Sequence, residues 1–217
     1  VMRFLDNVLS DFIERAPESF KDAKYSAMRE RSVGLGVMGL HSFLQKNSVP
    51  FESVMSKVWN NKIFKHIQIE VDKASKKLSD ERGACPDAEE YGINERFSNK
   101  TAIAPTASIS IICGGASPGI EPVAANSYTH KTLSGSYNVR NKYLKKILEK
   151  HDKNNDEVWS TITTNQGSVS HLDFLTNLEK DVFKTAFELD QKWIVELGAA
   201  RTPYVSQAQS INIFLPA

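Results

Sequence analysis

The stretch TAIAPTASISIICGGASPGIEP, residues 101–122, carries most of the information about the fold. Its first four residues form a short apolar run that predicts a β-strand over residues 101–104. A proline and several small hydroxyl residues follow at once, which indicates a strand that leads into the start of a helix. The glycines at residues 114–115 then give the chain a flexible turn.

A helix start of this kind is suited to binding an anion, above all a phosphate. The first helical turn has unpaired backbone N–H groups and carries the positive end of the helix dipole. Thr106, Ser108 and Ser110 add hydroxyl donors, and Ala107 leaves room for close approach. Because residues 101–130 contain no Lys or Arg, we expect the anion to be held by N–H groups and hydroxyls rather than by fixed cations. The alternative interpretation is ordinary helix capping by Thr or Ser.

A second glycine motif, Gly34-Leu35-Gly36-Val37-Met38-Gly39, matches the G-x-G-x-x-G pattern of dinucleotide-binding proteins. That site needs a buried strand before the glycines and an acidic residue about 20 residues further on. Residues 24–32 are polar and charged instead, and no second strand with an acidic end follows. We therefore expect these glycines to allow close backbone packing where a short strand enters a helix.

The remaining pattern predicts an α/β protein with more helix than strand. Apolar spacing predicts two long helices, the first stopped by Gly83 and Pro86 and the second capped by Asn177, and two shorter ones: residues 53–80, 178–200, 141–150 and 156–164. Besides residues 101–104, strands are predicted over residues 209–214 and, more weakly, 33–37.

The composition excludes strongly charged classes of protein. Of the 217 residues, 41% are hydrophobic and 24% charged, and 27 basic residues nearly balance 26 acidic ones. We therefore expect no nucleic-acid and no membrane partner, and no apolar run reaches the roughly 20 residues of a membrane span. Two cysteines without metal-type spacing favour a reducing compartment. The composition predicts a soluble cytoplasmic protein.

The two ends of the sequence suggest a segment of a longer protein. An apolar stripe at helical spacing begins at once and closes at Ala16-Pro17: Val1, Phe4, Leu5, Val8, Leu9, Phe12 and Ile13. Residues 210–217 alternate apolar and polar side chains like a strand. The alternative is a trimmed but complete domain.

Five ordered motifs resemble segments of the large, catalytic subunits of ribonucleotide reductases. Ala104-Pro105-Thr106-Ala107-Ser108, with Gly119-Ile120-Glu121-Pro122 starting fourteen residues after the proline, resembles the family's phosphate-binding loop. Arg31-Ser32-Val33-Gly34-Leu35-Gly36-Val37 resembles the family's strand-to-helix junction, and Gly83-Ala84-Cys85-Pro86 resembles the end of its long helix. Tyr128-Thr129-His130-Lys131-Thr132-Leu133-Ser134-Gly135 is similar to the segment after its Glu-Pro pair. Gln207-Ala208-Gln209-Ser210-Ile211-Asn212 resembles a late barrel strand.

The resemblance implies that residues 1–217 are the C-terminal portion of a ribonucleotide reductase barrel domain, a helix-rich part of a ten-stranded α/β barrel. Such enzymes are oxidoreductases that reduce ribonucleotides to deoxyribonucleotides for DNA synthesis by radical chemistry at a cysteine. Carried over residue by residue, the family's contacts to the substrate diphosphate would fall on Thr106, Ala107, Ser108, Ile109 and Ser110.

Several parts of the family's machinery have no match in this sequence. The Asn-x-Cys-x-Glu loop with the radical cysteine, the redox cysteine pair, the nucleotide-sensing cone and the Tyr-Tyr pair are all missing. We therefore assign no catalytic residue, no metal ligand and no cofactor to this chain. The implied partners are a ribonucleoside diphosphate, the remainder of the large subunit and a small radical-generating metal subunit, and we expect a homo-oligomer.

The other reactive side chains favour structural roles. Cys113 lies in an apolar stretch, where a buried thiol behaves as a small hydrophobe. His41 and His66 lack metal-ligand spacing, so we expect surface or satisfied core positions. Glu121 stands between two prolines, and we expect it to accept backbone N–H groups.

Two other functions stay open. A cobalamin-dependent reductase of the same superfamily has a similar loop that more often reads Pro-Thr-Gly-Thr, whereas Ala107-Ser108 and the segment at residues 132–135 favour the class with a separate small subunit. A non-catalytic remnant or assembly module would keep only the fold.

Overall fold

The computed structural model describes residues 1–133 and 135–215; Ser134, part of one quoted motif, and residues 216–217 of the predicted terminal strand lie outside them. The described residues are rich in helix. In chain order the helices are α1 (Met2–Arg15), α2 (Lys21–Glu30), α3 (Leu40–Lys46), α4 (Val54–Arg82), α5 (Pro86–Glu90), α6 (Ala107–Ile112), α7 (Lys142–Lys150), α8 (Asp156–Thr164), α9 (Asn177–Val182) and α10 (Lys192–Arg201). The strands β1 (Ser127–Thr132) and β2 (Gly135–Arg140) lie between α6 and α7, and short 3-10 helices span Glu18–Phe20 and Thr202–Tyr204.

Three predicted helices have the ends that the sequence indicates. Asn141 and Asn155 cap α7 and α8, because each side chain accepts backbone N–H groups of the first turn. The long helix α4 ends before Gly83, whose φ of 87° suits a residue without a Cβ, and Pro86 begins α5. None of the helices in the described ranges is long and apolar enough to span a bilayer.

The prediction of one helix over residues 178–200 is wrong, because the chain breaks between α9 and α10. The cap of α9 is Thr176 rather than Asn177, and Thr176 forms a capping box with Glu179. Beyond α9, the N–H of Ala186 donates to a carbonyl of another segment, and the carboxylate of Asp190 accepts an N–H at the start of α10. The apolar period continues through the break, so periodicity alone does not reveal it.

The strands depart furthest from the prediction. The apolar runs at residues 33–37, 101–104 and 209–214 form only isolated parallel bridges, which join Leu35 to Thr101 and Ile103 to Gln209. The sheet seen in the described residues is the antiparallel pair of β1 and β2, which the residue pattern did not predict. A ten-stranded barrel is therefore not visible within them.

The described chain separates into two compact units. The first unit consists of Val1–Gly36, Asn60–Ala104 and Ala199–Ser210, and its core contains Met2, Val33, Val71, Leu78 and Phe97. The second consists of Val37–Trp59, Pro105–Gly198 and the residues from Ile211 on. Its larger core cluster surrounds Trp159, and a second cluster surrounds Phe51. The assignment of residues 1–217 to one barrel-domain segment stays a prediction.

The buried face of α1 differs from the predicted stripe. Val1, Phe4 and Val8 are exposed, whereas Met2 and Asp6 are buried. The carboxylate of Asp6 forms ion pairs with three arginines of the same unit: Arg31, Arg82 and Arg96. Helix α1 is thus held in the first unit by a charged cluster as well as by apolar packing.

Candidate functional site

The helix start predicted after Pro105 is present. Helix α6 begins at Ala107, and Thr106, the residue before it, has a φ of 53°. A β-branched residue seldom occupies this left-handed region, and such strain costs about 1–3 kcal/mol unless surrounding contacts fix it. The backbone at Thr106 is therefore held by contacts outside its own local preference.

The contact that fixes Thr106 is made by its side chain. The N–H of Gly119 donates to Oγ1 of Thr106 at 2.7 Å, which joins the loop before α6 to the turn that follows the helix. The side chain of Thr106 makes no capping hydrogen bond to α6. Ordinary capping by Thr106, the alternative interpretation of the sequence, is thus not what the structure shows.

The first turn of α6 consequently keeps its donors available. The N–H groups of Ala107, Ser108 and Ile109 have no hydrogen-bond partner among the described residues, and all three residues are exposed. The hydroxyl of Ser108 is exposed beside them. Together with the helix dipole, these groups favour negative charge at this point.

Ser110 differs from the other predicted phosphate contacts. Its hydroxyl donates to the carbonyl of Ala107 at 2.9 Å, and its N–H donates to the carbonyl of Thr106 at 2.9 Å. The side chain is almost completely buried. Ser110 therefore has no free donor for a phosphate in this structure, and its visible role is to close the first turn of α6.

Helix α3 supports the turn that follows α6. The N–H of Ser42 donates to Oγ of Ser117 at 3.1 Å, and the N–H of Ser117 donates to Oγ of Ser42 at 2.8 Å. The N–H of Gly39, which has a φ of 83°, donates to the carbonyl of Ser117 at 2.8 Å. These three bonds position the chain between Ser117 and Gly119, and so the N–H that holds Thr106.

A cation that the sequence reasoning missed lies at the other end of α6. Nζ of Lys142 donates to the carbonyl of Gly114 at 3.1 Å. The sequence pattern does not show this contact, because the turn into α7 brings Lys142 back to the segment. The expectation that N–H groups and hydroxyls hold the anion concerns the first turn of α6 and stays a prediction.

Glu121 has the structural role that the sequence suggested, with Asn212 as its partner. Its carboxylate is buried and accepts Nδ2 of Asn212 at 2.7 Å. Burial raises the pKa of Glu121 above its ordinary value, although the hydrogen bonds from Asn212 oppose the shift. The side chain amide thus holds the carboxylate against the cost of its desolvation.

The expectation that Cys113 is buried is wrong. Cys85 is completely buried, whereas Cys113 is exposed at the end of α6. Among the histidines, His66 is exposed, and His41 is buried and accepts the N–H of Val123 at its Nδ1. Within residues 1–133 and 135–215, no group of three or more His, Cys, Asp or Glu side chains is arranged to hold a metal ion.

The G-x-G-x-x-G motif serves close packing. A Cβ on Gly36 would lie 2.8 Å from the carbonyl oxygen of Ala102, and one on Gly34 would lie 3.2 Å from the Cβ of Ala102. Gly34 and Gly36 therefore let two backbone segments of the first unit approach each other, as predicted, and this contact accounts for these two glycines without a dinucleotide.

The whole chain matches one protein family. The sequence model described as "Ribonucleotide reductase, barrel domain" matches residues 1–92 and 87–217. The chain is 47% identical over 219 residues to the ribonucleoside-diphosphate reductase large subunit of Invertebrate iridescent virus 6, covering 99% of this chain and 23% of that protein. It is 44% identical over 217 residues to the large subunit of Invertebrate iridescent virus 3, covering 99% of this chain and 34% of the relative.

A solved structure shows the same similarity in three dimensions. The Actinobacillus ureae class Id ribonucleotide reductase alpha subunit superposes with a TM-score of 0.89 at 40% sequence identity. The match covers 97% of this chain and 38% of that one. The chain thus spans between about a quarter and two fifths of the length of the proteins that it matches.

Proposed function

Because the chain belongs to the ribonucleotide reductase barrel-domain family, we propose that it forms the part of a ribonucleoside-diphosphate reductase large subunit that binds the substrate's phosphates. In this proposal, residues 1–217 are the C-terminal portion of a ten-stranded α/β barrel. Reduction of ribonucleoside diphosphates to deoxyribonucleotides belongs to the complete subunit. The observation that carries the proposal is the set of free N–H groups at Ala107, Ser108 and Ile109.

The free donors suffice for a weak anion site. Three N–H groups and the Ser108 hydroxyl offer four bonds to a phosphate, and a hydrogen bond to a charged group contributes about 1.5–3 kcal/mol. Association and ordering remove about 4 kcal/mol or more. A net binding free energy of about 4 kcal/mol corresponds to a Kd of about 1 mM. We therefore expect phosphate alone to bind in the millimolar range, with the rest of a nucleotide adding affinity.

The radical chemistry needs groups outside this sequence. Neither Cys85 nor Cys113 stands in an Asn-x-Cys-x-Glu motif, so the proposal assigns neither of them to catalysis. The described residues do not fit a metal ion either. Radical generation is assigned to a small metal-containing subunit, which the "large subunit" names of the relatives favour over the cobalamin alternative. Homo-oligomerisation and a cytoplasmic location remain part of the same proposal.

The test introduces a negative charge where the phosphate would lie. Ala107→Glu is expected to abolish binding of inorganic pyrophosphate, because the new carboxylate would compete for the N–H groups of the first turn and repel the anion. Ala107→Gln matches the size without the charge, and we expect it to weaken binding less. Isothermal titration calorimetry of the purified protein with pyrophosphate measures both.

Cys113→Ser is the control variant for this experiment. Cys113 is exposed at the opposite end of α6, so the exchange of sulfur for oxygen leaves the first turn unchanged. We expect its pyrophosphate affinity to stay within about twofold of the parent. If Ala107→Glu binds pyrophosphate as well as Cys113→Ser does, the anion is not held at α6 and the phosphate role is wrong.

A further inference from the structure

Helix α1 carries a stripe of exposed apolar side chains along one face. Phe4 is 66% exposed and Val8 is 52% exposed, and Val1 and Phe12 are exposed as well. These residues are three or four positions apart, so they lie on the same side of the helix. Large exposed apolar patches of this kind mark surfaces that bind another protein or a membrane.

The neighbouring helix α2 adds further exposed apolar side chains. Helix α2 contacts α1, and none of its ten residues is buried. Phe20, which precedes α2, and Tyr25 and Met28 within it are exposed. Helices shorter than about 12–15 residues depend on tertiary packing for their stability. A partner that covers α1 and α2 would therefore stabilise this part of the first unit.

The exposed apolar area matches what one partner of a protein–protein interface buries. The α1–α2 patch consists of Val1, Phe4, Val8, Phe12, Phe20, Tyr25 and Met28. A large side chain buries about 150–250 Å² when it is completely covered, so the exposed fractions of the patch correspond to roughly 600–800 Å². Each partner of an interface of standard size buries about 800 Å². The patch is therefore large enough to hold a protein partner.

The stripe on α1 is complementary to itself. Phe4 and Phe12 stand four residues before and four residues after Val8, so the apolar order is the same in both directions along the helix. An antiparallel second copy of α1, related by a two-fold axis at Val8, places Phe4 of each copy against Phe12 of the other. Residues four positions apart also form the ridges by which helices most often pack together.

The charges beside the stripe permit this pairing. The exposed charged residues of α1 are two basic ones, Arg3 and Arg15, and two acidic ones, Asp11 and Glu14. Arg3 pairs with Glu81, and Arg15 pairs with Asp11. Two identical copies can therefore approach without net repulsion. A membrane-binding helix, in contrast, carries an excess of Lys and Arg beside its apolar face.

From these observations we infer that the α1–α2 patch docks a second copy of this chain, with the two α1 helices antiparallel across Val8. The proposed function includes a homo-oligomer without a surface for it, and the patch rests on that proposal in this respect alone. The contact uses the first unit, whereas the phosphate site at α6 belongs to the second.

Sedimentation velocity of the purified chain over about 1–100 µM measures the association. Interfaces of this size range from micromolar to picomolar affinity, so we expect a monomer–dimer equilibrium with a Kd of about 10 µM or lower. Val8→Glu brings two carboxylates together at the two-fold axis. We expect it to weaken the dimer at least about 100-fold, because like charges that face each other in an interface repel strongly.

Val58→Glu is the matched control for the charge. It makes the same exchange at a similarly exposed position of α4, in the second unit. We expect its dimer Kd to stay within about twofold of the parent. Pyrophosphate binding is measured on the same samples, and we expect Val8→Glu to keep it within about twofold of the parent. Failure of the dimer contact and failure of the phosphate site are thus seen separately.

A disulfide across the axis tests the register, even if Val8→Glu does not fold. Each variant also carries Cys113→Ser, because Cys113 is exposed, whereas Cys85 is buried. Val8→Cys should form a covalent dimer when the thiols are oxidised by diamide, because its two copies meet at the axis. Phe4→Cys should not, because its two copies lie about 12 Å apart along the helices. A disulfide needs Cα atoms within about 7 Å.

Three results would each overturn the assignment of this surface. They are a chain that stays monomeric at about 100 µM, equal dimer affinity in Val8→Glu and Val58→Glu, and equal cross-linking of Val8→Cys and Phe4→Cys. A monomer would leave the patch to another occupant, such as the part of a large subunit that this chain does not span. Loss of the dimer in Val8→Glu, with the dimer kept in Val58→Glu and selective cross-linking of Val8→Cys, supports the contact.

Discussion

Asp6→Asn is expected to destabilise the protein by about 3 kcal/mol, although the change is nearly isosteric. Oδ1 of Asp6 accepts Nη2 of Arg31 at 2.6 Å and Nε of Arg96 at 2.9 Å, and Oδ2 accepts Nη1 of Arg82 at 2.6 Å. The substitution removes the one negative charge of this cluster and presents an NH₂ group to a guanidinium. It leaves three cations close together without their counter-charge.

The magnitude follows from the burial of the partners. Removing one member of a buried ion pair costs about 3–5 kcal/mol, because the remaining charge stays desolvated. The side chains of Arg31 and Arg96 are 10% exposed, whereas that of Arg82 is 31% exposed and can turn toward water. We therefore expect the lower end of that range. Since small domains have a free energy of unfolding of about 5–15 kcal/mol, the variant should still fold.

Urea denaturation at pH 7, followed by far-UV circular dichroism, measures the loss against a control in the same helix. Asp11 forms an ion pair with Arg15, but the two side chains are 60% and 77% exposed, so Asp11→Asn should cost less than about 0.5 kcal/mol. Equal midpoints for Asp6→Asn and Asp11→Asn would refute the argument that burial makes the Asp6 cluster important.

The Asp6 cluster also predicts how the stability difference between the parent protein and Asp6→Asn depends on pH. Burial alone would raise the pKa of Asp6, but hydrogen bonds from Arg96, Arg31 and Arg82 outweigh it, and the pKa is lowered from 3.8. A carboxyl group with a lowered pKa in the folded state contributes stability above its unfolded value, and this contribution is lost as the pH falls through the folded value. The difference between the parent and Asp6→Asn should therefore shrink below about pH 3.8.

Three further predictions concern other parts of the chain. Burial lowers the pKa of His41 from 6.5 to about 4, so the unfolded state binds a proton first as the pH falls, and stability should drop by about 3 kcal/mol between pH 6.5 and 4. His41→Gln should flatten this part of the stability curve in urea denaturation, and an unchanged slope would contradict the assignment. Gly36→Ala should cost about 1–3 kcal/mol, because its Cβ would lie 2.8 Å from the carbonyl oxygen of Ala102, and an unaltered Tm would contradict this. The purified chain should not convert cytidine diphosphate to its deoxy form with reductant and a small subunit present, because neither Cys85 nor Cys113 is in the radical-cysteine motif; any measurable turnover would disprove it.

Features that depend on neighbouring residues were predictable from the sequence. The N-terminal ends of α7 and α8 were predictable, because Asn141 and Asn155 each cap the helix that they precede. The helix start at Ala107 and the end of α4 before Gly83 follow from similarly local rules. The protein family was also predictable, because its motifs are continuous in sequence.

Features that depend on distant residues were not predictable. Asp6 stands inside an apolar stripe, and its partners are 25 to 90 residues away, so no local pattern shows that it is buried among arginines. Lys142 reaches its contact with Gly114 through a turn whose geometry the pattern does not give. The predicted strands failed for a related reason. An apolar run indicates burial, but a ladder needs a partner with matching hydrogen bonds, and the described partners offer only isolated bridges.

The position of Thr106 shows how a site can depend on a contact that the sequence hides. A Thr before a helix ordinarily turns its hydroxyl to the first-turn N–H groups, and such capping stabilises a helix by about 1 kcal/mol. Here the hydroxyl oxygen accepts the N–H of Gly119 instead, and the backbone takes a left-handed conformation. Helix α6 therefore lacks a cap from Thr106. The N–H groups of Ala107, Ser108 and Ile109 have no partner among the described residues and can donate to an external acceptor. Capping and anion binding use the same N–H groups, so they compete. The Thr106 hydroxyl, which would otherwise cap the helix, accepts the N–H of Gly119, thirteen residues later in the chain.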